Sequence, residues 1–303
     1  MKNTIEILAP AGSPESLNAA LNAAADAVYL GLQSFSARKS AKNFSAEQLY
    51  EAARICRLSG VKLYLTLNTL VFDREIKELR KAVQFAAEAG VNAFIIQDLA
   101  VLQLAKELAP DINCHASTQM TITSASGAEA ARKLGFSRVV LARELSLSEI
   151  AEINKKVEIE TEVFIHGALC VSVSGQCHMS AFFGGSGAER SANRGSCAQP
   201  CRLNFKAGNS NHALSLKDLS ITKSITELEK AGVTSVKIEG RMKSPEYVAA
   251  AVGACVKARN GDSYDEKALK AIFSRDGFTD GYFTGNTRAM RGNRAQLSKR
   301  RRK

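Results

Sequence analysis

Four cysteines fall within 32 residues, spaced Cys170-x6-Cys177-x19-Cys197-x3-Cys201 in a stretch rich in glycine and serine. Thiolates are nucleophiles and soft metal ligands, so three readings compete. Four free thiols in one insertion are improbable. A structural zinc site suits four thiolates, but its usual signature is two pairs with two to four intervening residues, and only the second pair here is that close. An iron–sulfur cluster tolerates irregular spacing, because each thiolate approaches a different corner of a wide cluster. Gly167, Gly175, Gly184, Gly185, Gly187 and Gly195 give the backbone freedom to wrap such a group. Spacing leaves both metal readings open, with iron–sulfur ahead. Cys56, Cys114 and Cys255 sit among apolar or small neighbours and read as buried small hydrophobes.

The elements that must position these thiols follow one rhythm. Short runs rich in Val, Ile and Leu begin at Ile5, Ala27, Lys62, Ala93, Ile112, Arg138, Ile159 and Ser235. Segments of helical spacing lie between them. Ser13 is placed to cap the first helix with Pro14 at its first position, and Gly60, Gly90 and Gly135 end later ones. Strands alternating with helices through short connections predict parallel βαβ units. Eight such units predict an α/β fold, a TIM-like (β/α)8 barrel. A doubly wound open sheet is the runner-up, but no G-x-G-x-x-G follows the first strand. The rhythm breaks once, after the seventh strand, over about residues 167–218. A loop that long in a compact domain is functional or disordered, and its cysteines favour function.

Active sites of β/α barrels lie at the C-terminal ends of strands. That rule nominates Asn68, Gln97, His115, Gln119, Arg143, His166, Glu239 and Arg241. His115, Gln119, Glu239 and Arg241 are the catalytic candidates, and Asn68, Gln97, Arg143 and His166 the substrate-binding ones. Arg143 and Arg241 suit an anionic ligand, because a guanidinium pairs bidentately with a carboxylate; alternatively, Glu239 and Arg241 close the barrel as an ion pair. Phe35, Arg38 and Phe44, in the loop after the second strand, are candidates for stacking on a base.

Charge is distributed unevenly. Lys and Arg number 41 against 30 Asp and Glu, a net +11, and eight basic residues lie between Arg288 and Lys303 with no acidic one. Without them, residues 1–287 hold 33 basic and 30 acidic residues. We therefore expect a barrel domain over 1–287 and a basic, disordered tail over 288–303. The tail is either a solvated end or an arm for nucleic acid. No apolar run is long enough to span a membrane, and the N-terminus is too short and polar for a signal peptide. A cytoplasmic location is expected.

Several blocks together carry a resemblance. They are Leu8-Ala9-Pro10-Ala11-Gly12, Ala27-Val28-Tyr29-Leu30-Gly31, Glu162 to Cys170, Ser174 to Ser180, Asn193 to Arg202, Ser215 to Leu219 and Val236 to Val248. From about residue 5 to 285 the chain resembles the peptidase U32 family, the collagenase-like peptidases. Some members bear peptidase or collagenase names. Others bind a [4Fe-4S] cluster through four cysteines and support oxygen-independent hydroxylation of a tRNA wobble uridine, an rRNA cytidine or a ubiquinone precursor. The resemblance implies that Cys170, Cys177, Cys197 and Cys201 ligate such a cluster, that RNA is the partner, and that prephenate is the oxygen source. RNA-modifying members carry further C-terminal domains; if those bind RNA, the basic tail or a related U32 partner chain substitutes here, and a non-catalytic subunit is a further alternative. The peptidase alternative lacks sequence support, since neither H-E-x-x-H nor G-x-S-x-G occurs.

Overall fold

The computed structural model describes residues 4–184, 190–208 and 210–291. Ten strands form one sheet: β1 (Glu6–Pro10), β2 (Ala27–Gly31), β3 (Lys62–Leu67), β4 (Ala93–Ile96), β5 (Asn113–Ala116), β6 (Arg138–Val140), β7 (Glu160–Gly167), β8 (Asp218–Ser220), β9 (Ser235–Ile238) and β10 (Phe278–Thr279). β1 to β7 pair in order and in parallel, and β9 closes the barrel by pairing in parallel with both β7 and β1. The fold is thus the expected (β/α)8 barrel, with β9 as the eighth barrel strand.

β8 and β10 lie outside the expected pattern. β8 pairs antiparallel with the end of β7, His166 opposite Ser220, and β10 pairs with β8. This flap anchors the far end of the cysteine insertion to the barrel. The folded body also continues past residue 287: Met290 is buried and its carbonyl accepts a hydrogen bond from the Lys217 N–H at 2.9 Å. The domain boundary expected at 287 therefore falls too early. The rest of the basic tail, 292–303, lies outside the described residues.

Strand alternation explains the two apolar layers. Ile7 and Ala9 point out to the helices, where they join Leu17, Leu49, Leu79 and Val248 in the main core. Leu8, Ala27, Tyr29, Tyr64, Ala93 and Ile95 form a small cluster inside the barrel. The rest of the interior is charged, which the sequence reading did not anticipate. Arg138 pairs with Glu6 at 2.6 Å, with Glu162 at 3.3 Å and with Glu160 at 2.8 Å. Lys237 pairs with Glu162 at 2.7 Å. Burial opposes ionisation of Glu6, but Arg138 and Lys62 outweigh it and hold the carboxyl at about 2.

Candidate functional site

The C-terminal mouth of the barrel is where the cysteine insertion settles. Cys170 follows β7 directly, Cys177 precedes the short helix Met179–Phe183, and Cys201 lies in the 3-10 turn Pro200–Arg202. Two glycines let the insertion press on other loops. Gly175 (φ +79°) lies so near the Gln119 carbonyl, and Gly195 (φ +80°) so near that of Ser36, that a Cβ at either would overlap backbone. Polar clamps complete the docking. Glu144 accepts from the Ser174 N–H and hydroxyl at 3.2 and 3.3 Å, and Thr121 donates to the Ser174 carbonyl at 2.7 Å. Arg194 grips Glu75 with both guanidinium nitrogens at 2.9 and 2.6 Å. That bond holds the Glu75 carboxyl down at about 2.

All four clustered cysteines line one cavity of about 300 Å³ together with Arg38, Gln119, Arg143, Glu239 and Lys243. Cys170 and Cys177 lie within hydrogen-bonding reach of each other. Cys197 Sγ receives bonds from the Ser180 hydroxyl at 3.8 Å and the Gln199 N–H at 3.4 Å. Burial first, then the neighbouring thiols, pushes the Cys177 thiol up, and the Cys201 thiol likewise despite Arg202 beside it. Among the described residues no three His, Cys, Asp or Glu side chains converge as a single metal ion requires. Cys56, Cys114 and Cys255 are buried elsewhere, and burial pushes them up to about 11, 11 and 12.

Glu239 anchors one wall of the cavity. Its Oε2 meets Arg38 NH2 at 3.3 Å and Arg143 NH2 at 3.5 Å. Burial opposes its ionisation, but Arg38, Arg143 and Arg241 together hold it below the usual carboxylate range. A carboxylate so held orients two guanidiniums rather than accepting protons. Arg143 also lies 4.2 Å over the Phe164 ring, and its buried Nε has no partner among the described residues.

The structure thus gathers Gln119, Arg143, Glu239 and the four cysteines, whereas His115, Arg241, Asn68, Gln97 and His166 do not line the cavity. His115 lies inside the barrel, edge-on to Tyr64 at 4.9 Å, and burial together with Arg138 pulls its pKa well below the usual value. His166 packs between Tyr247 and Phe278, and burial pulls it to about 4. Asn68 accepts from the Ala37 N–H at 3.0 Å and so fixes the loop after β2. Gln97 keeps its carbonyl oxygen buried and unpartnered among the described residues. Of the proposed stacking group only Arg38 reaches the cavity. Phe44 is 1% exposed within the core, and Phe35 packs against that core.

Arg241 lies beneath the mouth, donating to Ser36 Oγ at 2.6 Å and Thr66 Oγ1 at 3.1 Å. No carboxylate lies within 4 Å of it among the described residues, so the alternative Glu239–Arg241 ion pair is not formed; Glu239 pairs with Arg38 and Arg143 instead. Burial pulls Arg241 down to about 10. It therefore fastens the loop that carries Arg38. Arg241→Lys, which loses the planar fork, is expected to lower unfolding free energy by about 1.5–3 kcal/mol in urea titration. Unchanged stability combined with lost anion binding would instead make Arg241 a ligand-binding residue.

Sequence reasoning missed three further cations that line the cavity, Arg202, Lys243 and Arg275. Arg202 adjoins Cys201, and Lys243 lies in the Val236–Val248 block, so both were in view without a reason to single them out. Arg275 lies in a stretch with no strand or helix signal.

Comparison with known proteins decides the family. The model of peptidase family U32 matches residues 12–293. The chain belongs to peptidase family U32. A relative named "Collagenase" from Porphyromonas gingivalis is 40% identical over 93% of this chain and 74% of its own length. The "tRNA hydroxylation protein P1" of Bacillus subtilis is 36% identical over 82% of this U32 chain, which spans only 61% of that relative. The solved structure of the U32 peptidase Mk0906 superposes with a TM-score of 0.55 at 11% identity, over 79% of this chain and 95% of that one. It supports the barrel fold alone.

Proposed function

We propose that this U32 chain is an iron–sulfur-dependent hydroxylase that adds a hydroxyl group to a nucleobase of tRNA or rRNA without molecular oxygen. The observation that carries the reading is that Cys170, Cys177, Cys197 and Cys201 all line one cavity at the barrel mouth. Their irregular spacing lacks the two close pairs usual for structural zinc, a pattern that an iron–sulfur cluster does not require. When bound, a [4Fe-4S] cluster supplies one-electron redox chemistry. The Ser180 hydroxyl and the Gln199 N–H already hydrogen-bond Cys197 Sγ, and bonds of this kind tune a ligating sulfur. Arg38 and Arg143, held by Glu239, present positive charge to a nucleobase or an anionic co-substrate. Prephenate, a dicarboxylate, suits that surround as the oxygen source. The name of the Bacillus subtilis relative supports RNA as partner, with a related U32 chain as an alternative route to RNA. No described helix is long and apolar enough to cross a membrane, and the proposed site of action is the cytoplasm.

The peptidase reading rests on the collagenase and protease names of several relatives. Its chemistry needs a nucleophile beside a base, yet neither buried histidine lines the cavity. Comparing modified nucleosides by mass spectrometry, in cells with and without the gene, tests both readings. Loss of one hydroxylated nucleoside is expected. An unchanged nucleoside profile, with gelatin cleaved by purified protein, would replace the hydroxylase with a peptidase.

A further inference from the structure

Two phenyl rings stand in solvent beside the cavity. Phe182 is 82% exposed and Phe183 60%, while the other eleven of the chain's 13 phenylalanines are buried or half-buried. A single exposed ring is ordinary, but two in sequence next to a cavity form a patch that calls for a partner. Their helix, Met179–Phe183, is fixed where it stands. The buried Ser180 hydroxyl on that helix donates to Cys197 Sγ at 3.8 Å and accepts from the Ala198 N–H at 3.1 Å. One side of the helix thus holds a thiol of the cavity, and both rings stay outside. The rings meet at 81° with centroids 5.2 Å apart, so each braces the other.

The surround is basic. Between Ala168 and Ala213 the insertion holds Arg190, Arg194, Arg202 and Lys206 against one acid, Glu189. The loop over 32–45 adds three basic residues and no acid. Arg194 and Arg38 are taken up by Glu75 and Glu239. Lys39 and Arg190 are exposed and form no ion pair among the described residues. Arg190 abuts the end of the phenyl helix, since a Cβ on Gly184 would lie 3.0 Å from its own Cβ. The Lys39 N–H donates to the Gly195 carbonyl at 3.2 Å, which ties its loop to the insertion.

Open aromatic faces among exposed cations suit an anion that carries flat rings. An apolar protein surface would cover the rings and leave the cations unanswered. We propose that Phe182 and Phe183 form a stacking platform for unpaired bases of an RNA strand next to the nucleotide that enters the cavity, with Lys39 and Arg190 on its phosphates. Bases in a duplex are already stacked on one another, so the platform selects a single-stranded loop or end. The stacking expected of Phe35 and Phe44 falls to this pair instead. The entering nucleotide rests on the hydroxylase reading, whereas the platform is tested by binding alone.

The probe is a short fluorescein-labelled single-stranded RNA, followed by anisotropy as full-length, anaerobically purified protein is added, with the matching RNA duplex as comparison. Phe182→Ala should weaken single-strand binding roughly fivefold or more, and duplex binding less than about twofold. Phe182→Trp should bind at least as well as wild type. Phe182→Leu, apolar but without an aromatic face, should lose nearly as much as alanine. The salt slope should not move in Phe182→Ala but should fall by about 0.7 in Arg190→Gln, which removes one phosphate contact. Far-ultraviolet circular dichroism close to wild type shows that each variant folds. Wild-type protein that ignores the single strand, or Phe182→Ala that binds it as tightly, would overturn the proposal. So would full affinity in Phe182→Leu, which would make the patch merely apolar. Dimerisation in sedimentation that Phe182→Ala abolishes, with RNA binding untouched, would make it a protein interface. Phe182-sensitive RNA binding with an unchanged cellular nucleoside profile would instead remove the hydroxylase reading and leave the platform standing.

Discussion

Changing any one of Cys170, Cys177, Cys197 or Cys201 to serine is expected to cost the protein its iron and its 400 nm absorbance together. A neutral hydroxyl replaces a soft thiolate, and a four-iron cluster needs a ligand at each corner. Anaerobic wild-type protein should carry about four iron and four sulfide per chain. Cys56→Ser is the internal control, because Cys56 is buried in the helix Ala46–Leu58 and does not line the cavity. The barrel should survive each cluster substitution, since the insertion is also held by Arg194–Glu75 and by Ser174 against Glu144. Far-ultraviolet circular dichroism close to wild type would show this. Stoichiometric zinc without sulfide would sink the cluster, and a single serine variant with full iron content would remove that cysteine from the ligand set.

The barrel was legible because its strands are apolar runs bounded by caps and glycines, and parallel pairing follows from the alternating helices. The insertion was legible because periodicity stops where the cysteines begin. β8 and β10, three and two residues long, are too short to leave a pattern, so the flap off β7 was invisible. Position at a strand end nominated Gln119, Arg143 and Glu239 for the mouth. The same rule misplaced His115 and His166, because it says nothing about whether a side chain at that height points up, inward or sideways. Glu6, Arg138, Glu162 and Lys237 were missed for a related reason. In an open sheet the polar positions of alternating strands face water, whereas in a barrel half of them face each other.

That interior column carries the second large expected effect. Glu162 is fully buried and pairs with both Lys237 and Arg138. Glu162→Gln keeps the shape but removes the charge between two enclosed cations. Breaking a buried pair on one side typically costs about 3–5 kcal/mol, a large share of the roughly 5–15 kcal/mol that holds a domain together. Urea unfolding should show a loss of that size. Adding Lys237→Met should recover part of it, since the orphaned ammonium then disappears. A loss under about 1 kcal/mol would mean that water or rearrangement already compensates the column. Acid gives an independent check through Glu6, whose carboxyl lies at about 2 against an ordinary 4.5. A depressed folded-state pKa contributes stability that is fully present above pH 4.5 and is lost as pH falls toward 2. Wild-type stability should therefore fall across that window, and Glu6→Gln, already weaker at neutral pH, should fall less steeply. Equal slopes for the two proteins would place the acid sensitivity in other carboxylates and deny Glu6 its role in holding Arg138.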